Sequence, residues 1–243
     1  GQFMLEQIRA RGGRLVQARL RGVQRTDRFE LELQAGGSTE RMKADILVNA
    51  AGPYLADVGA MMGETVPVTT LAQQKLAFED RDGAISRRAA FAIDLDGQEI
   101  AWAEEERALL AENPATAWLT QPMQGGIHCR PDGGEGGKWI KLGWAYNRKP
   151  SKVVMPSPLD PQYPDIVLRG ASRLHPALKT YIGRLPRQHT HYGGYYTMTR
   201  ENWPLIGPMQ TPGAFLAGAL SGFGTMSACA TGELCAAWVC DAA

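Results

Sequence analysis

The sequence predicts a mixed α/β fold with α+β character, in which residues 1–66 and 187–243 form one discontinuous domain and residues 67–186 a second, sheet-based one. Three observations carry this expectation. Alternating apolar residues near the start predict strands, the composition turns to Gly, Pro and aromatic residues between Val66 and about Pro186, and the final section returns to a buried strand, a glycine turn and a helix.

Residues 3–11 place apolar side chains at helical spacing, with Leu5 and Ile8 three apart, and Gly12-Gly13 is the stop expected after a short helix. From 14 to 34, Leu15, Leu20 and Val23, then the strictly alternating Phe29, Leu31 and Leu33, with turn chemistry at Thr26-Asp27, predict two or three antiparallel strands. Residues 44–53 are a continuous apolar run ending in small residues, which suits a strand buried on both faces whose end approaches something closely. In the second domain, 74–78, 117–119 and 139–146 look like strands, and the turn formers of 130–137 look like a long hairpin connection. A helix is predicted over 165–174 and ends before Pro176. A strand over 214–219, a glycine turn and a helix from Thr225 to about Val239 complete the chain.

Composition narrows the function. With 243 residues, 44% hydrophobic and 21% charged, the chain has enough apolar mass for one large domain or two small ones. Its 26 basic and 25 acidic residues leave no global field to favour nucleic acid or an anionic membrane, so a small-molecule partner is expected. The longest apolar stretches, 214–220 and 234–239, fall well short of the roughly 20 residues of a membrane helix. Phe3-Met4-Leu5 runs directly into Glu6 and Arg9, so no signal peptide is read at the start. The four cysteines are too badly spaced for a disulfide scaffold: Cys129 stands alone, and Cys229, Cys235 and Cys240 share one predicted helix. They read as reduced thiols and hence a cytoplasmic location, with Cys229 and Cys240 on nearly one helix face, as core thiols are.

The strongest local signal is 218–227, where a strand runs into Gly222-Phe223-Gly224 and then a helix. Glycines let backbone N–H groups approach a ligand, and a helix N-terminus favours negative charge. The spacing is not a dinucleotide fingerprint, because position 227 is Ser and no second strand or ribose-binding acid follows. Other candidates carry less. His189-x-His191 has no third ligand at metal spacing and reads as a loop, so no metal is expected. His128 and Cys129, adjacent on a strand, point to opposite faces and form no nucleophile and base. Lys75, in a strand after Gln73-Gln74, points either at an active site or at water.

Several segments, in order, carry a family resemblance: Gly12-Gly13-Arg14-Leu15 before the strand pair, Asp45 to Pro53, Val66-Pro67-Val68, and the stretch from Tyr195 to Gly207 followed by Ser221 to Gly224. The chain resembles the D-amino-acid oxidase superfamily of FAD enzymes, which includes glycine oxidase, sarcosine oxidase and dimethylglycine dehydrogenase. The resemblance implies a partial FAD-binding domain of the glutathione-reductase-like type and a mixed or antiparallel substrate-binding domain. It implies FAD as cofactor, with the backbone at Leu20 contacting the adenine, Ala51 and Gly52 against the ADP part, and Ser221, Gly222, Phe223, Gly224, Thr225 and Met226 at the flavin. The family's Gly-x-Gly-x-x-Gly unit is not formed by any of the 28 glycines at the start of the chain, so it is expected upstream of Gly1 or on a second chain.

The activity implied is oxidation of an amine or amino acid, in which the flavin accepts a hydride from the carbon beside nitrogen and the imine is hydrolysed. The segment ending Thr-Pro-Asp-x-x-Pro-x-x-Gly in the family carries Arg200 and Glu201 here in place of Pro and Asp. Tyr196 stands where the amino-acid oxidase branch has its carboxylate-binding arginine, a pattern closer to enzymes of N-methylated or secondary amines. Tyr195 and Tyr196 wall the substrate or serve as half-buried packing residues; Arg130 and Lys141 are carboxylate partners or solvated strand-edge charges. The alternative function is a non-catalytic binding or scaffold module that needs a partner chain to complete the FAD site.

Overall fold

The structure, a computed structural model, describes residues 1–241. Helix α1 (Gln2–Ala10) closes with the N–H groups of Arg11, Gly12 and Gly13 turned back onto its last carbonyls, and Gly12 takes φ 85°. Strands β1 (Arg19–Arg25), β2 (Phe29–Ala35) and β3 (Ser38–Ala44) pair antiparallel in that order. Gly36 and Gly37 join β2 to β3 with φ of 54° and 89°, the left-handed pair whose twist suits a tight hairpin. Then come β4 (Leu47–Asn49), α2 (Leu55–Met61), β5 (Thr69–Glu79), β6 (Ala92–Asp94) and α3 (Glu104–Glu112). The rest comprises β7 (Ile127–Asp132), β8 (Trp139–Gly143), α4 (Tyr163–Leu174), β9 (His189–Met198), β10 (Leu205–Pro208), β11 (Ala214–Gly218) and α5 (Gly224–Asp241).

The chain divides into two units: Gly1–Thr69 with the residues from Thr197 on, and Thr70–Tyr196. The first unit holds the β1-β2-β3 sheet and a second sheet ordered β10-β11-β4, in which β11 runs parallel to β4. Phe29, fully buried, packs with Val23 and Ala214, and Leu31, Leu47 and Met61 close around them. Leu55, Val66 and Leu216 form a second cluster. Gly218 is needed there, because a Cβ would come within 2.5 Å of Leu55 and push α2 off β11.

The second unit is a five-stranded sheet, ordered β6-β7-β8-β5-β9. Register fixes two kinds of row across its centre. Leu76, Leu142 and Cys129 lie side by side, as do Phe78, Ile140 and Pro131, whereas the intervening rows are Lys75, Gly143, His128 and Ala77, Lys141, Arg130. Because side chains alternate between faces, the first rows build the core with Trp144, Tyr163, Ile166 and Val167, and the second rows face away from it. The Tyr163 hydroxyl accepts the Trp144 N–H at 3.0 Å and donates to the Gln74 carbonyl at 2.5 Å, fastening α4 to the sheet.

Several expectations are corrected. The apolar run over 44–53 is not one strand buried on both faces: Ala44 ends β3, only Leu47–Asn49 pair as β4, and Val48 is 42% exposed. The Asn49 side chain stops the strand by donating to the Leu55 carbonyl and accepting the Ala51 N–H, and Gly52 then turns at φ 56°. Residues 117–119 form a 3₁₀ turn (Ala117–Thr120), held by the Thr120 hydroxyl on the Ala117 carbonyl and the Trp102 indole on the Leu119 carbonyl. His189 and His191 sit in strand β9, not in a loop. Cys229 and Cys240 are exposed, and Cys235 alone of the three helical thiols is buried.

Gly170 on α4 faces the Trp144 ring so closely that a Cβ would lie 2.5 Å from Cζ3. Gly170→Ala is therefore expected to destabilise the protein by about 1–3 kcal/mol, the usual range for overpacking a filled core, measured as a lowered midpoint in denaturant. An unchanged midpoint would mean that α4 is not seated on Trp144 as described.

Candidate functional site

Each unit brings functional candidates together. In the first, the parallel pairing of Leu47 with Ala214 and Asn49 with Leu216 makes β4 and β11 end at one edge of their sheet, and the segments 50–52 and 219–224 both leave from it. The carboxyl ends of adjacent parallel strands are where α/β sheets hold ligands. Gly52, at φ 56°, has no atom within 4 Å of where a Cβ would stand, so the backbone is open on that side.

After β11, the left-handed positions are Ala219 (φ 56°) and Ser221 (φ 54°), neither of them glycine, and the Ser221 N–H donates to the Thr197 carbonyl at 3.0 Å. The Phe223 carbonyl takes the Met226 and Ser227 N–H groups, so α5 begins there and the Gly224 and Thr225 N–H groups, in its first turn, have no carbonyl of their own helix to bond. Gly224 lacks positive φ, and its Cβ position meets only Leu220 at 3.9 Å, so the glycine is not required by the protein's own packing. Phe223 is 59% and Met226 75% exposed. The Thr197 hydroxyl is buried with no hydrogen-bond partner among the described residues. Open backbone at Gly52, unpaired first-turn N–H groups and an orphaned hydroxyl fit a polar, ring-bearing cofactor such as FAD. Leu20, expected to meet the adenine through its backbone, pairs with Leu33 across the β1–β2 ladder, and its side chain packs on the Phe29 cluster.

In the second unit, the non-core face of the sheet carries Lys75, His128, Arg130 and Lys141. Arg130 donates to Asp132 Oδ1 at 2.8 Å and to the Pro131 carbonyl at 3.1 Å, while Lys141 lies 3.4 Å from Asp132 Oδ2 and 5.8 Å from the centre of the Tyr192 ring. One aspartate thus serves both expected carboxylate-binding cations. The Tyr195 hydroxyl donates to the Val154 carbonyl at 2.8 Å and accepts the Val154 N–H at 2.9 Å, so Tyr195 holds a loop and its proton is already engaged. Tyr196 is half-buried, with its hydroxyl pKa raised by burial, and stands four residues from Tyr192, hence on the same face of β9. His191 is structural: it stacks on Tyr163 with ring centres 5.5 Å apart and meets the Gln74 side chain at 2.8 Å. Among the described residues, no group of His, Cys, Asp and Glu could hold a metal ion, and no helix is long and apolar enough to cross a membrane.

The arrangement not anticipated from the sequence is the pair Lys75 and His128. Their Nζ and Nε2 are 2.5 Å apart, and His128 Nδ1 lies 2.9 Å from the Gly126 carbonyl. They meet above Gly143, where a Cβ would overlap both nitrogens. Burial, reinforced by Lys141 and Arg130, lowers Lys75 to about 8; burial, reinforced by Lys75, lowers His128 to about 4. Adjacency along the strand excludes Cys129 as a partner for His128, and the partner it does have lies two strands away.

A depressed histidine fixes the sign of a pH effect. Between its unfolded pKa near 6.5 and its folded value of about 4, the unfolded chain binds a proton that the native one does not, so stability falls as pH falls through that window. His128→Gln is expected to remove up to about 3 kcal/mol of that pH dependence, checked by denaturant unfolding at a series of pH values. Identical profiles for the variant and the parent chain would show that His128 is not held neutral.

The family model for FAD-dependent oxidoreductases, DAO, matches residues 2–238. No curated protein sequence matches. Among solved structures, glycine oxidase from Geobacillus kaustophilus superposes with a TM-score of 0.63 at 15% identity, covering 94% of this chain and 50% of that one. L-proline dehydrogenase from P. horikoshii gives 0.62 at 19% identity over 95% and 52%, and iminodiacetate oxidase from Chelativorans sp. BNC1 gives 0.65 at 14% over 98% and 53%. These likenesses concern the fold, and the chain spans about half the length of the structures it matches. With the family model covering nearly all of its residues, the chain belongs to the DAO family of FAD-dependent oxidoreductases.

Proposed function

We propose that this chain forms the substrate-binding part, and a portion of the FAD-binding part, of an enzyme that oxidises an amine or amino acid. The unit Gly1–Thr69 with the residues from Thr197 on is the FAD-binding portion in this reading, and Thr70–Tyr196 binds substrate. The observation that carries it is the cationic and aromatic face of the second unit, where Lys75, Arg130, Lys141, Tyr192 and Tyr196 accompany a single acid, Asp132. Such a face suits a small polar substrate with negative charge and an apolar body. Glycine, L-proline and iminodiacetate, after which the similar enzymes are named, are all amines with a neighbouring carboxylate.

FAD supplies the acceptor for a hydride from the carbon beside the substrate nitrogen. The chain's own residues orient and bind. Ala51 and Gly52 offer open backbone, Gly222, Gly224 and Thr225 offer N–H groups, Thr197 offers a hydroxyl, and Phe223 and Met226 offer apolar contact. The helix N-terminus at Gly224 favours negative charge on its ligand. The pyrophosphate-binding residues come, in this reading, from a longer polypeptide or a second chain.

The test is anaerobic: the polypeptide containing these 243 residues, loaded with FAD, is mixed with a panel of primary and secondary amines with and without carboxylates. Bleaching of the flavin band with at least one of them, and release of the matching carbonyl product, is the expected result. Flavin that binds but is never bleached would favour a binding module instead. Gly52→Val should weaken FAD at least about tenfold by flavin fluorescence titration, because a β-branched residue tolerates positive φ poorly and fills the open side of the turn. Undiminished affinity would remove Gly52 from the cofactor site.

A further inference from the structure

We infer that Lys75, held by His128 above Gly143, is the residue that takes the substrate's carboxylate. This rests on the amine or amino-acid reading above and names a specificity-determining residue within it.

Of the three cations on this face, Arg130 and Lys141 already share Asp132. Lys75 meets no carboxylate; the charged groups acting on it are Lys141 from β8 and Arg130 from β7, both cations. On the same face stand His128, Arg130 and Asp132 from β7 and Lys141 from β8, with the Tyr192 ring of β9 beside Lys141, and the one acid is engaged elsewhere.

Its single polar partner fixes its role. His128 Nδ1 sits on the Gly126 carbonyl at 2.9 Å, which assigns the ring proton to Nδ1 and leaves Nε2 as an acceptor. Lys75 then donates one N–H to Nε2, and its two remaining N–H groups have no acceptor among the described residues. A half-buried ammonium with two unmatched donors is costly unless an anion completes it. Gly143 keeps the space in which this group stands, since any side chain there would displace both nitrogens. A neutral imidazole orients the lysine without neutralising it, which leaves its charge for a ligand. Burial, with Lys141 and Arg130 adding to it, lowers Lys75 to about 8, and no protein carboxylate offsets that lowering.

The expected pH behaviour follows. The anion is held by the protonated amine, so affinity is full below about pH 8 and falls about tenfold per unit above it. Propionate is a suitable probe, with propanol as the uncharged control, titrated calorimetrically into the flavin-loaded parent enzyme and its Lys75→Met, Lys75→Arg and Lys141→Met variants.

Lys75→Met is expected to weaken propionate at least about tenfold and to abolish its decline between about pH 7 and about pH 9, with propanol unaffected. Lys75→Arg should recover most of the affinity, and Lys141→Met should lose less than Lys75→Met. In turnover, Lys75→Met should raise KM at least about tenfold for carboxylate-bearing amines and leave their decarboxylated counterparts unchanged. Propionate binding indifferent to Lys75, or an equal loss for both amine classes, would overturn the inference. The two readings fail separately: if no amine bleaches the flavin but propionate still depends on Lys75, the amine oxidation falls and the carboxylate site stands. If amines are oxidised and propionate ignores Lys75, the reverse holds.

Discussion

The antiparallel register of β5, β8 and β7 is the constraint on which the second unit depends. Leu76, Leu142 and Cys129 share one row, and each is fully buried beneath α4. In a pleated sheet the neighbouring row must point the other way, so burying these three side chains puts Lys75, Gly143 and His128 together on the opposite face. A slip of one residue in any strand would drive a lysine or histidine into the core and a leucine out of it. Full burial of a leucine is worth about 2 kcal/mol and an unpaired buried charge costs more, so the register is enforced from both sides. The site is in this sense a by-product of the core: the hydrophobic rows set where the polar rows meet.

What the polar rows then do is decided by counting counterions. Asp132 ends β7 directly opposite Trp139 and reaches two cations, which leaves the face with an excess of positive charge concentrated toward Lys75. Exposed ion pairs of the Arg130 kind contribute little to stability, and Asp132 spares the fold from mutual repulsion between Arg130 and Lys141 more than it strengthens it. Lys75 differs because it is deeper and its neighbour is an imidazole. The contact with His128 gives orientation at little cost in charge, whereas a carboxylate there would have bound the lysine internally.

The sequence was informative where a local pattern decides local structure. The helix stop at Gly12-Gly13, the alternation of Phe29, Leu31 and Leu33, the hairpin over 130–137 and the helix ended before Pro176 all depend on residues close in the chain, and the structure forms α1, β2, the β7–β8 hairpin and α4 there. It was misleading where a side chain competes with the ladder. Asn49 ends β4 after three residues by satisfying backbone groups on both sides of itself, which an apolar run does not reveal. Lys75 and His128 are 53 residues apart, and their meeting depends on the register of two pairings. The single local clue was Gly143 at the end of a strand, and nothing in the sequence says which side chains need its space. Tyr195 was likewise ambiguous until Val154, 41 residues away, was seen to occupy its hydroxyl.

In the turn after β11 the left-handed steps do not fall on the neighbouring Gly218 or Gly224. Ala219 and Ser221 take φ of 56° and 54° instead. Holding such conformations on residues with a Cβ costs on the order of 1 kcal/mol each, and the surroundings must compensate. Here the Ser221 N–H reaches the Thr197 carbonyl and the Phe223 N–H reaches the Leu220 carbonyl, so backbone bonds tie the turn at Ser221 and just after it. Gly218, just before them, has extended backbone and owes its identity to Leu55, while Gly224 has room for a side chain and no positive φ. Internal packing and backbone strain thus explain Gly218 but not Gly224. Gly224 is thus a glycine that neither packing nor strain requires, at the first position of a helix whose first-turn N–H groups have no carbonyl of their own helix, and it is on this ground that the proposed function assigns it to cofactor binding.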